Sequence, residues 1–439
     1  MRDLIFFATF LPLPLLSFFQ PWIGLLVWGW LALMNPHRQL WGFATAFSYN
    51  QWIAIATIAG FVFMLREQRL RVDANLVLLL LLICCIALST VFSLSPGLAW
   101  VKGEEHIKLV VFAVLARLML DRQVRVHAFV WLLALCLGFY GVKGGTLFIL
   151  PGGSGAFTGP SRSYIADRNH LAVALLMVIP LMNYLRLHTA NRWLRIGLLA
   201  AMVFTVLAII GTASRGGFIG LVAMGGFLWL RSRNKVMTAI LLLPIVAGLT
   251  FVVPERWTER MQTIETAAEE DGSFQGRLLA WQTYFNAAVD RPLLGVGPLA
   301  LNDDAVYARY EPYEGFVDYE NLKGARAAHS IYFQVIGELG FLGFAVYMLL
   351  AATAWLNAQQ VIGATRNKPE LLWAQDLARM LQVSFVAFFV AGAGVSMAMY
   401  DFYLALTATA AALRLLVNEQ LPVKESRRIS PVPSGKMAS

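Results

Sequence analysis

Charge is scarce along this chain. Of its 439 residues only 14% are Asp, Glu, Lys or Arg, while 58% are apolar, and no soluble globular domain of this length has that balance. Strict alternation of apolar and polar residues is also missing, which excludes a membrane β-barrel. Cysteine is nearly absent. Cys84, Cys85 and Cys136 all lie inside apolar runs, leaving no disulfide framework and no zinc spacing. No period of 20–50 residues recurs and the two halves do not look alike, which speaks against a transporter built from inverted repeats. The net charge of +9 is not gathered into a basic stripe interleaved with aromatics, so no nucleic acid partner is expected. No small-residue cleavage site follows the first apolar run after Met1-Arg2-Asp3, so that segment is expected to be retained as an anchor.

What the chain does have is apolar runs, each able to cross a hydrocarbon core of about 30 Å. They lie near 4–34, 51–65, 74–92, 107–120, 128–150, 168–187, 194–213, 216–230, 236–253, 330–356, 379–399 and 402–418. The fold class expected is an all-α polytopic membrane protein of about 12 transmembrane helices. The first run, broken by Pro12, Pro14 and Pro21, is read as one kinked crossing, with a hairpin of two short helices as the alternative. Basic clusters at Arg66/Arg69/Arg71, Arg122/Arg125, Arg186/Arg192/Arg195, Arg231/Arg233/Lys235 and Lys424/Arg427/Arg428 fall on alternate loops, which the positive-inside rule places in the cytoplasm. Both termini are then inside, and 93–106, 151–167, Ser214–Gly216 and 254–329 lie outside. The domain organisation expected is membrane helices over 1–253, a periplasmic helical loop over 254–329, closing membrane helices over 330–420, and a disordered cytoplasmic tail over 421–439.

The loop 254–329 holds 13 acidic and 7 basic residues, a net charge of 7 − 13 = −6. Trp257, Met261, Ile264 and Ala268 follow Pro254 at helical spacing, and Leu278, Trp281, Phe285 and Ala288 share one face of a second amphipathic helix. Both helices are expected against the outer surface of the bundle or roofing a cavity. The turn Gly295-Val296-Gly297 would let backbone approach a ligand, although it lacks the strand and third glycine of a dinucleotide fingerprint. The stretch 303–320 is acidic and rich in tyrosine (Tyr307, Tyr310, Tyr313, Tyr319), either a sugar-contacting surface or a solvated loop.

Arginines at outer span ends run against the positive-inside bias. Arg162, Arg168, Arg215 in Ser214-Arg215-Gly216-Gly217, and Arg277 are of this kind. A guanidinium at that depth needs a partner, and its fork suits the oxygens of a phosphate; lipid head groups and Asp167 are the competing partners. His329 opens the next span with Tyr332, Phe333 and Ile336 on its helical face, and an imidazole suits removal of a hydroxyl proton near neutral pH. Glu104-Glu105-His106 makes a poor chelate because adjacent helical residues diverge. Neither metal nor cofactor is expected.

Three segments together resemble the O-antigen ligase family (WaaL type, the Wzy-C superfamily of membrane glycosyltransferases). They are Ser214-Arg215-Gly216-Gly217; Arg277 and Trp281 with Pro292 and Gly295-Val296-Gly297; and His329-Ser330-x-Tyr332 followed by Glu338-Leu339-Gly340-Phe341-Leu342-Gly343. The resemblance covers roughly 150–400, and Pro298 is a position where the family pattern need not hold. It implies a GT-C-like bundle in the bacterial inner membrane that acts in lipopolysaccharide biosynthesis. Such a protein moves a glycan from undecaprenyl diphosphate to a hydroxyl of lipid A–core on the periplasmic side, without metal and with inversion. It assigns His329 as general base and Arg215 and Arg277 as diphosphate ligands; Arg162 joins them by position, and Arg168 and Tyr332 are weaker candidates. An O-antigen polymerase or a protein O-oligosaccharyltransferase would share the donor and differ in the acceptor. A lipid-linked oligosaccharide flippase would carry charges along the middle of its spans, whereas most charges here lie at span ends.

Overall fold

The computed structural model describes residues 2–40, 42–64, 71–150, 157–232, 235–236, 272–312 and 324–421. Among them the regular elements are α-helices joined by short turns, some of 3-10 form. The helices are α1 (Arg2–Phe10), α2 (Leu13–Phe19), α3 (Pro21–Leu33), α4 (Tyr49–Met64), α5 (Ala74–Val91), α6 (Pro96–Met119), α7 (Gln123–Ile149) and α8 (Arg168–His188). They continue as α9 (Arg192–Gly211), α10 (Arg215–Arg231), α11 (Gly272–Asp290), α12 (Asp304–Tyr310), α13 (Ile331–Ala364), α14 (Leu372–Gly392) and α15 (Asp401–Gln420). The expected helix at 254–268, the run at 236–253, Tyr313, Tyr319 and the tail beyond Leu421 lie outside the described residues, apart from Val236.

The chain is thus a helical, multi-pass membrane protein. Among the described residues six helices are long and apolar enough to cross a membrane by themselves, fewer than the twelve runs of the sequence. The first three helices and α4 are short, α10 has 17 residues, and α6 carries Lys102, Glu104, Glu105, Lys108 and Arg117. That last helix starts at Pro96, so the expected outer loop 93–106 is mostly helix. The centre of the bundle is α8, in which every residue from Leu171 to Leu185 except Asn183 is buried. A helix apolar all round belongs in the interior, and α14 packs beside it.

The N-terminal run is a hairpin, not one kinked crossing. Pro12 and Pro21 break it where the sequence suggests. Asp3 accepts from the Gly42 N–H at 2.6 Å, and Phe6 packs on Trp30. At the other end Phe18 packs on Phe63, and a Cβ on Gly60 would strike the Phe18 backbone. The first two helices therefore run antiparallel to α3 and parallel to α4, whose first residue, Tyr49, also packs on Phe6, and the N-terminal end lies with the 35–48 turn, opposite the end at which Arg71 and Glu419 pair.

That opposite end contains a buried ion pair. Arg117 donates to Asp73 at 3.1 Å and to the Arg71 carbonyl at 3.2 Å, and Asp73 also caps α5 by accepting from the Leu76 N–H. Removing one partner leaves an uncompensated buried charge. Asp73→Ala is expected to cost about 3–5 kcal/mol, seen as a lowered midpoint of thermal unfolding in detergent, and pairing it with Arg117→Leu should restore most of the loss.

α13 is 34 residues long but broken at Gly340, whose φ of 70° and ψ of −177° leave the helical region. A break frees backbone groups that a membrane interior cannot solvate, and the loop after α11 satisfies them. The Val296 N–H donates to the Gly337 carbonyl at 3.0 Å, the Gly297 N–H to that of Glu338 at 3.1 Å, and the Phe341 N–H to that of Pro292 at 2.7 Å. Ser89 donates to the Glu338 carbonyl from α5 at 2.6 Å. Gly295 has φ of 65° and Gly297 of 112°, and a Cβ on Gly340 would lie 2.7 Å from the Pro292 oxygen. The Gly-x-Gly turn is therefore a backbone dock for the broken helix, not an open ligand loop. Gly340→Ala combines a left-handed conformation with a clash and is expected to destabilise by about 2 kcal/mol or more, read as a lowered unfolding midpoint.

The dock also fixes α11. Its buried face is Leu279, Ala280, Thr283, Tyr284, Ala287 and Ala288, whereas Phe285, expected on that face, is exposed. Trp281 stacks on Phe333 with centroids 5.2 Å apart, and Tyr284 fills the space above Gly337. The helix thus packs along the first turns of α13. Tyr307 and Tyr310 are buried in a small core beside it, so they hold the loop together and are not a sugar-contacting surface.

Candidate functional site

The site is organised by a turn that carries almost no side chain. Ala391-Gly392-Ala393-Gly394-Val395-Ser396 ends α14 in tight backbone bonds from Ala393 to Val390, Gly394 to Ala391 and Val395 to Gly392. Small residues let three other elements close in on it. A Cβ on Gly220 of α10 would lie 2.8 Å from that of Ala391, and one on Gly216 3.6 Å from the Ala391 oxygen. On the other flank, a Cβ on Gly392 would meet Ile331 at 2.9 Å, and one on Gly394 would lie 3.9 Å from Arg277 Nη1. Ser396 Oγ accepts from the His329 N–H at 2.8 Å. The helices that carry Arg215 and Arg277, and His329 itself, are therefore drawn to one turn from three separate parts of the chain.

His329 is not on a helix. It takes a left-handed φ of 45° just before Ser330, the cap residue of α13, and the Ala328 carbonyl before it is held by Trp281 Nε1 at 2.8 Å. The face it was expected to share is divided: Tyr332 donates to the Phe389 carbonyl at 2.9 Å, and Phe333 turns to Trp281. Partial burial, and after it the Arg277 guanidinium, hold the His329 pKa below its ordinary value; His170 and Arg326 act in the same direction and Asp167 opposes them. The imidazole is thus kept neutral, with a ring nitrogen able to accept a proton.

Arg215 opens α10, half-buried, behind a turn in which Ser214 Oγ accepts from the Gly217 N–H at 3.1 Å. Arg277 is half-buried on the side of α11 that faces the turn. Arg162, exposed and at a φ of 61°, lines a cavity of about 890 Å³ whose walls include Arg38, Lys102, His170 and Ser396. Ser396 thus joins the cavity to His329. Arg168 opens α8 beside its cap Asp167, which accepts from the Asn169 N–H at 2.7 Å, but it is not on the cavity wall. Glu104, Glu105 and His106 diverge: Glu104 pairs with Lys108, Glu105 with Lys102, and His106 is buried. Among the described residues no three His, Cys, Asp or Glu side chains gather.

Sequence reasoning missed Ser396, Gly394 and Arg38, and ranked His170 below His329 for its weaker context. The run of small residues at 391–396 was the available signal, but it lay inside a stretch read as a span to residue 399. Arg38 gave none, since a basic residue beside a span is ordinary.

A multi-pass helical membrane protein with His329 and several arginines gathered at one end of the bundle is the class that fold and site define. Residues 200–348, which carry Arg215, Arg277, His329 and the broken helix, match the O-antigen ligase family. Residues 1–190 match a family of unknown function (DUF5935). No curated protein matches the chain.

Proposed function

We propose that the protein is a glycosyltransferase that moves a glycan from undecaprenyl diphosphate to a sugar hydroxyl of lipid A–core. The reading places it in the bacterial inner membrane as a GT-C-like bundle of about twelve membrane helices, with its site on the periplasmic face. The observation that carries the reading is the meeting of His329 and Arg277 at the 391–396 turn, within a chain whose segment 200–348 matches the O-antigen ligase family.

The chemistry follows from the donor. A lipid diphosphate is already a leaving group, so no nucleotide is needed. The neutral His329 takes the proton of the acceptor hydroxyl as its oxygen attacks the anomeric carbon. The bond from that carbon to the diphosphate oxygen breaks on the opposite face, inverting the centre. Undecaprenyl diphosphate departs with its new charge on Arg277, Arg215 and Arg162, which act in place of a metal. The proton remains on the imidazole and is lost to water. Tyr332 positions α13 against α14 through its bond to Phe389.

The test offers purified protein an undecaprenyl-diphosphate glycan together with three acceptors in parallel: lipid A–core, a second lipid-linked glycan, and a pilin-like protein. The proposal expects product on lipid A–core. Product on only the second glycan, or only the protein, would overturn the acceptor assignment in favour of a polymerase or a protein O-oligosaccharyltransferase.

A further inference from the structure

The 890 Å³ cavity is built mainly by residues of the segment that matches the family of unknown function, between the ends of α3, α4 and α6. It has two kinds of wall. At its mouth Arg38, Lys102 and Arg162 stand together; Arg38 feels both the Arg162 guanidinium and the Glu105 carboxylate. Glu105 is already bound to Lys102 at 2.8 Å, and Asp401 on the wall accepts from the Phe402 N–H. Arg38 and Lys102 share the Glu105 carboxylate and Arg162 stands near Arg38, and this excess of cationic groups makes a site for an anion of more than one charge. Ile55 and Ile58 of α4 add an apolar part to the lining, and both keep exposed surface.

Four buried polar atoms in this region have no hydrogen-bond partner in the chain: His37 Nδ1, Tyr49 Oη, Asn50 Oδ1 and Tyr164 Oη. All four residues line the cavity. Trp28 and Phe47 also line the cavity, and aromatic side chains suit a sugar ring.

We propose that this cavity seats the phosphorylated head of the lipid-linked donor, with Arg38 and Lys102 as phosphate ligands beside Arg162, and Ile55 and Ile58 as the wall for the first isoprene units. The proposal rests on the transferase reading above. In it the segment of unknown function holds the donor, and Ser396 sets the held head beside His329. Arg38 is the ligand that neither its motif context nor the family segment 200–348 indicates.

Binding tests this without turnover. Full-length protein in detergent is titrated with undecaprenyl diphosphate, with inorganic diphosphate, and with phosphatidylglycerol, and occupancy is read by native mass spectrometry. Wild type and His329→Ala should bind undecaprenyl diphosphate alike. Arg38→Gln should weaken it by about tenfold or more, as loss of a charge-assisted bond does, and Arg38→Lys should recover most of that. Ile58→Glu should lose undecaprenyl diphosphate while keeping inorganic diphosphate, which also shows the variant to be folded. Unchanged binding in Arg38→Gln, or unchanged lipid binding in Ile58→Glu, overturns the proposal. So does equal competition by phosphatidylglycerol, which would make the cavity a general anionic-lipid site. Failure of the transferase reading would show differently, as absent transfer to every acceptor with these binding results intact.

Discussion

His329→Ala should lower glycan transfer by about 10²–10⁴-fold, the range typical for loss of a positioned base, while the protein stays folded. The bond that anchors this residue runs from its backbone N–H to Ser396, so truncating the ring leaves the anchor in place. The residue belongs to no hydrophobic core and keeps part of its surface open at the bundle end. One complication is the left-handed φ of 45°, a conformation that alanine tolerates less well than asparagine. His329→Asn is therefore the cleaner variant: it keeps the conformation, has no basic nitrogen, and should lose activity as fully. The loss should fall on kcat with KM little changed, because the base acts in the transition state and not in donor binding. Transfer within tenfold of wild type in both variants would remove His329 from the chemistry.

Arg277→Gln should cost about 10²–10³-fold, the range seen when one preorganised donor to a developing oxyanion is removed. It should also move the pH profile. Burial and the Arg277 charge together hold the His329 pKa below the ordinary histidine value. In wild type the base therefore stays neutral, and active, to pH values below the usual histidine range. Removing the guanidinium takes away one of the two main depressing influences, the pKa rises, and the acidic limb of the activity profile should move to higher pH. Arg277→Lys keeps the charge and loses the fork, so its acidic limb should stay in place while its rate falls partway. A limb that does not move in Arg277→Gln would mean that Arg277 does not act on His329.

How much of this was legible in the sequence differs between levels. The apolar runs gave the helical membrane fold, because length and composition decide whether a segment can cross a bilayer. They did not give the hairpin at the N-terminus. A proline break in an apolar run is compatible with a kink or a reversal, and only partners far along the chain, Gly42 for Asp3 and Phe63 for Phe18, decide between them. Ser214-Arg215-Gly216-Gly217 and the Gly-x-Gly turn stood out as motifs, but for a reason different from the expected one. Gly217 is small so that α10 can meet Ala172 and Gly220 so that it can meet Ala391, and Gly295, Gly297 and Gly340 serve a broken helix. The face of α11 was misjudged by about a residue, since its partner is the start of α13, which periodicity alone does not reveal. The convergence of His329 and Arg277 depends on the 391–396 turn, and such proximity is tertiary.

The most direct measurement of the central claim is single-enzyme transfer in EDTA, using an undecaprenyl-diphosphate glycan of known anomeric configuration and lipid A–core as acceptor, with the configuration of the new bond read by NMR. The expected result is product in EDTA at the rate found with added Mg²⁺, an inverted anomeric centre, and transfer by His329→Asn lowered by about 10²–10⁴-fold. A rate that falls to background until a divalent cation is restored, or a retained configuration, would contradict it.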